Sequence, residues 1–196
     1  METKVQKTRG ECTQELHNLV TNADLNFRIW WIYVNREDRA KYINTLNDYS
    51  LFFVTSKSAH FAAVIGDLCA LYETRDDTVN VNRTLKMFPP EVAERVRSNL
   101  DEAVPIWKKI YRIGKNIFHH RNLGLDSDAV LAQVRLTPDG IKRLIEVSKE
   151  IVNTLSYAHD RSSFAFNLDP SKTTYRLLNW LSEKRSLLAR GEQPQL

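Results

Sequence analysis

Residues 108–121 read KKIYRIGKNIFHHR and carry five Lys or Arg side chains and two adjacent histidines. No acidic residue falls between Glu102 and Asp126, whereas elsewhere in the chain the two signs of charge are interspersed. Histidine has an unperturbed pKa of about 6.5, so it takes up or releases a proton near neutral pH. Arginine stays charged and binds phosphate oxygens through two parallel N–H donors. One short segment therefore combines groups that hold a polyanion with groups that move protons.

A helix over this segment divides it into two faces at ~100° per residue. Ile106, Ile110, Ile113 and Ile117 form one stripe, widened by Trp107, Gly114 and Phe118. Lys108, Arg112, Lys115, Asn116 and His119 fall on the opposite side, with His120 at the boundary. Arg112, Asn116 and His119 are neighbours at i, i+4 and i+7. Glycine costs ~1 kcal/mol in a helix interior, so Gly114 on the apolar side implies close approach of another helix. A row of lysines opposite an isoleucine stripe is commonly no more than a solvated face. Such faces usually lace their cations with Glu at i±4. This one lacks Glu there and adds two histidines and an asparagine.

The elements that must position these residues read as helix after helix. The chain has 196 residues, 42% of them apolar, with only six Gly and six Pro, which fits one well-cored domain and argues against a turn-rich β fold. Helical spacing predicts a first helix over 11–36 (Leu16, Leu19, Val20, Ala23, Phe27, Trp30), then a short one over 38–47. A long apolar helix over 50–74 reads as the central element, buried on more than one side. A short helix over 80–88 ends at Pro89-Pro90, and 90–122 forms the next, with Pro105 a kink or break and Asn122-Leu-Gly124 a stop. Ser127-Asp128 caps a short helix through Val134. Thr137-Pro138-Asp139 opens a long one to His159, and Asp169-Pro170 opens the last, to Ala189. Ser163–Leu168 carries a weak strand signal. The expected fold is all-α: an up-and-down bundle of four to five principal helices plus short ones, as a single domain over 1–196 with a loose tail over 191–196.

These residues, with the pattern around them, resemble the HEPN superfamily (higher eukaryotes and prokaryotes nucleotide-binding domains), in its AbiU-like abortive-infection branch. The resemblance runs through Trp30-Trp31 with Asn35, Tyr49-Ser-Leu-Phe52-Phe53, and His60. It continues through Leu68–Arg75 with Asp77-Thr78 and ends on Asn116-Ile-Phe-His-His120-Arg121-Asn122. It implies a helical bundle that dimerises, with an Arg and a His from each protomer forming a composite, metal-independent ribonuclease site. Arg112, six intervening residues and His119 fit the family spacing. The family's more usual run aligns Gly114-Lys115-Asn116 and puts His120 at the histidine, without the arginine. Asn116 would orient the ring or contact phosphate, and Lys108, Lys109, Lys115 and Arg121 would hold the strand. A non-catalytic module that binds RNA or a partner protein, such as a nucleotidyltransferase or an antitoxin, is the competing reading.

The remaining candidates are weaker. There is no CxxC, HExxH, GxxxxGK[ST] or GxGxxG, so neither a metal nor a nucleotide cofactor is expected. His60 reads as a core or interface histidine, and His17 and His159 as surface residues. Asp76-Asp77 reads as a cap or loop, and Trp30-Trp31 as packing rather than base stacking. Cys69 in its apolar run is a reduced core thiol, and no apolar stretch reaches the ~18 residues of a membrane span, so a cytoplasmic protein is expected.

Overall fold

The computed structural model describes residues 7–115 and 134–190. Among them the regular structure is eight α-helices and no strand: α1 (Arg9–Val34), α2 (Arg36–Asp48), α3 (Ser50–Tyr72), α4 (Val81–Leu85), α5 (Pro90–Arg95), α6 (Arg97–Ile113), α7 (Pro138–Asp160) and α8 (Ser171–Ala189). The all-α expectation holds. The tail over 191–196, the stop at Asn122–Gly124 and the helix expected from Ser127 to Val134, all but its last residue, lie outside the described residues.

The helix starts follow from side-chain capping. Thr8 and Glu11 form a reciprocal box at α1, with Thr8 N–H donating to Glu11 Oε2 at 2.7 Å and Glu11 N–H to Thr8 Oγ1 at 3.3 Å. Asn35, Asn80 and Thr137 cap α2, α4 and α7 by accepting from the backbone three residues on. Residues 90–122 do not form one helix kinked at Pro105. The break falls at Val96 (φ −96°, ψ 0°), and Pro105 sits inside α6. Pro105 and Asp101, whose carbonyl loses its helical donor to the proline, are both exposed.

The chain's contacts gather into two compact units. Unit 1 comprises Met1–Asp24 and Ala62–Asn167. Its core joins Leu16 and Val20 of α1, Ile65, Leu68 and Leu71 of α3, Ile110 and Ile113 of α6, and Ile141, Leu144, Ile145, Ile151 and Leu155 of α7, none more than 1–2% exposed. Each such side chain contributes about 1.5–3 kcal/mol of transfer free energy. The helix buried most continuously is therefore α7, not α3. Neighbours run antiparallel. Asn99 meets Glu150 at 2.6 Å and Glu102 meets Arg143 at 2.5 and 2.7 Å between α6 and α7; Gly10 lies beside His159 and Asp24 pairs with Lys149 at 2.9 Å between α1 and α7. After Arg161, in the left-handed region at φ 67°, residues 162–170 form no strand. Asn153 instead pins this segment by accepting from Phe164 N–H at 2.8 Å.

Unit 2 comprises Leu25–Phe61 and Leu168–Leu196. Its core cluster is Ile32, Tyr33, Tyr42, Phe53 and Leu178. Four polar contacts join α2 to α8: Asp38–Tyr175 (2.7 Å), Tyr42–Asn179 (2.7 Å), Thr45–Ser182 (2.7 Å) and Asp48–Arg185 (2.5 Å). Every pair is separated by 137 residues, so the two helices run parallel and in fixed register. The N-terminal half of α3 departs from expectation. Leu51, Phe52 and Val54 stand 84%, 58% and 57% exposed rather than buried.

Candidate functional site: the basic end of helix α6

The helix α6 delivers its two faces as the isoleucine spacing requires. Ile110 and Ile113 are fully buried, and Ile106 and Trp107 half-buried. Lys108, Lys109, Arg112 and Lys115 are all exposed. Gly114 fixes the rotation of the helix. A Cβ there would lie 2.9 Å from Cys69 Sγ and 3.4 Å from Ile65 Cγ2 of α3, an approach only glycine permits. Its N–H reaches the carbonyls of both Ile110 and Tyr111.

The electrostatics are one-sided. Glu102, the acidic residue preceding the segment, is taken up by a two-pronged pair with Arg143, which holds its carboxyl below the ordinary range. Among the described residues no carboxylate pairs with Lys108, Lys109 or Lys115. Arg135, exposed and in the left-handed region at φ 49°, precedes Leu136, whose Cδ1 shares with Ile106 the space beside Gly140. Asn116, His119, His120 and Arg121 lie outside the described residues. Of the residues singled out from the sequence, the structure thus places the exposed cationic row, Arg112 included.

The other titratable candidates fall elsewhere. His60 on α3 bonds Asn26 through Nδ1 at 2.7 Å, and burial lowers its pKa. His17 is not a simple surface residue. It is half-buried, stacks on Phe164 at 4.0 Å between centroids, and has its pKa lowered by burial. His159 is exposed, as expected. Burial pushes the Cys69 thiol up to about 12, so it is an inert packing group. Asp76 and Asp77 form loop ion pairs with Lys86 and Arg75. Asp67 was not singled out from the sequence, and its one signal there was a carboxylate inside the apolar run of α3. Burial pushes it up to about 6, and no hydrogen bond or ion pair to it is found among the described residues.

A family model described as HEPN_AbiU2, AbiU2, matches residues 9–174. The chain belongs to the AbiU2 group of HEPN proteins. No curated protein and no solved structure matches it. Among the described residues no helix is long and apolar enough to cross a membrane.

Proposed function

We propose that this protein is a metal-independent endoribonuclease of a phage-defence or toxin–antitoxin-like system, acting as a homodimer. The observation that carries the reading is the exposed cationic row of α6, Lys108, Arg112 and Lys115, set opposite fully buried isoleucines and rotated outward by the Gly114–α3 contact. Cleavage of RNA without a metal needs a base for the 2′-OH proton, an acid for the departing 5′-oxygen, and fixed positive charge at the developing phosphorane. Arg112 supplies the charge, and His119 or His120 moves the protons. Asn116 orients the ring or contacts phosphate, and Lys108, Lys109, Lys115 and Arg121 hold the strand. A second copy provides the complementary acid or base.

Support for a second copy comes from the surface of unit 2. Among the described residues, nine of the eleven exposed large apolar side chains belong to that unit, including Tyr49, Leu51, Phe52 and Val54. Soluble monomers seldom leave such a patch bare.

The test is cleavage of single-stranded RNA in the presence of a chelator, with the products examined for 2′,3′-cyclic phosphate and 5′-hydroxyl ends. Arg112→Ala and the relevant one of His119→Ala and His120→Ala should each lower the rate about 10²-fold or more while RNA is still bound. Wild-type protein that binds RNA but leaves it intact, at concentrations where it is dimeric, would overturn the nuclease reading in favour of a binding module.

A further inference from the structure

We infer that the outward groove of α8 is a second RNA-contact surface that seats a short stretch of single strand on Trp180. This rests on the RNA reading above and concerns a different element. The family match ends at Thr174, so Arg176, Trp180 and Lys184 lie beyond it.

The rotation of α8 is fixed from its inner side. Leu178 is 1% exposed in the core cluster, and Tyr175, Asn179, Ser182 and Arg185 are each tied to α2. At ~100° per residue, Lys172, Arg176, Trp180 and Glu183 then share one flank of the helix, beside Asn179 and within about a quarter turn of one another. They line an open groove of about 1010 Å³, with Thr173 and Asn179 contributing polar groups. Trp180 is 52% exposed, and Lys184 Nζ lies 5.3 Å from the centre of its ring.

This set matches the needs of an unpaired nucleotide. A base stacks on an aromatic face, nearby cations track the phosphates, and a carboxylate such as Glu183 accepts from a base amino group. Stacking of this kind tolerates any base, because every base has a π face. A protein helix would ask for something else, a continuous apolar stripe. The exposed Leu177 and Leu188 do not line this groove.

The experiment measures anisotropy of a labelled 2′-O-methyl oligouridine, which cannot be cleaved through its 2′ position, across a salt series. Trp180→Ala should weaken binding about ten-fold, and Trp180→Phe should retain most of the affinity. Lys172→Glu with Arg176→Glu should reduce the salt slope by more than one unit, since each phosphate contact on a single strand contributes about 0.7. Arg112→Ala should leave these α8 effects in place. An unchanged Kd and salt slope for Trp180→Ala, with binding lost in Lys108→Glu/Lys115→Glu, would overturn the α8 surface while leaving the RNA reading intact. A Trp180→Ala protein that changes oligomeric state but not RNA affinity would overturn it in favour of a protein contact. Wild-type protein that binds no RNA would remove both readings together. Because Trp180 is exposed, thermal unfolding should match wild type, which separates a binding loss from a folding loss.

Discussion

Asp67 is the side chain whose chemistry departs furthest from its place in the pattern. It interrupts an apolar stretch of α3, and burial holds its carboxyl at about 6 in the folded chain against 3.8 ordinarily. The protonated form is favoured by folding, so the stability it confers is complete below about 3.8 and is lost as pH rises through about 6. Asp67→Asn, neutral throughout, should therefore gain on wild type between pH 4 and 7 and hold a constant advantage above that. Allowing for solvent screening, the gain is about 1–2 kcal/mol, read from urea unfolding at several pH values. An equal difference at pH 4 and pH 8 would refute the assignment. His17 shows the limit of reading single residues from the chain. Its spacing on α1 suits a surface position, and only the return of residues 162–168, pinned by Asn153, brings Phe164 over its ring.

Among the elements, α6 was the most readable, because an isoleucine stripe at helical spacing fixes both the buried side and its opposite. The close approach of another helix was readable too, from a glycine on the apolar side, though not that this helix is α3. Gly114→Ala gains ~1 kcal/mol of helix propensity but drives a methyl group against Cys69 Sγ at 2.9 Å, and overpacking of this kind costs about 1–3 kcal/mol. The net expectation is a loss of about 1 kcal/mol, with Cys69→Ala in the same chain recovering most of it. A double-mutant cycle by denaturant titration would show the coupling, and strict additivity would count against it. Other element-level features were hidden from the sequence. Pro105 looked like the breaking point of residues 90–122, yet a proline facing solvent loses little, and the chain turns at Val96 instead. The pairing of α2 with α8 was equally invisible. Periodicity tells which face of a helix seeks cover but not which distant helix supplies it, and here polar contacts set the register of the pair.

For the whole molecule, the fold class followed directly from the scarcity of glycine and proline and the succession of capped helical patterns. The division of labour between the two units did not. Unit 1 is closed around α7 and presents cations, whereas unit 2 leaves Leu51, Phe52 and Val54 in water at the start of α3. From sequence alone that run looked like core, since hydropathy cannot tell a buried strip from one awaiting another chain. If this patch joins two copies, Leu51→Glu with Val54→Glu should yield a monomer in sedimentation velocity, with RNA cleavage lowered in parallel and thermal unfolding little changed. A variant that stays dimeric would move the interface elsewhere.

The parallel pairing of α2 and α8 bears on how much of the chain is needed for folding. The family match ends at Thr174, which would invite trimming the protein there. Doing so would strip Leu178 and Leu181 from around Tyr42 and Phe53, and leave Tyr42, Thr45 and Asp48 without the side chains that hold them. The turns of α8 from Tyr175 to Arg185 are thus a structural girder for an early helix, and a piece that folds must reach well past the matched stretch.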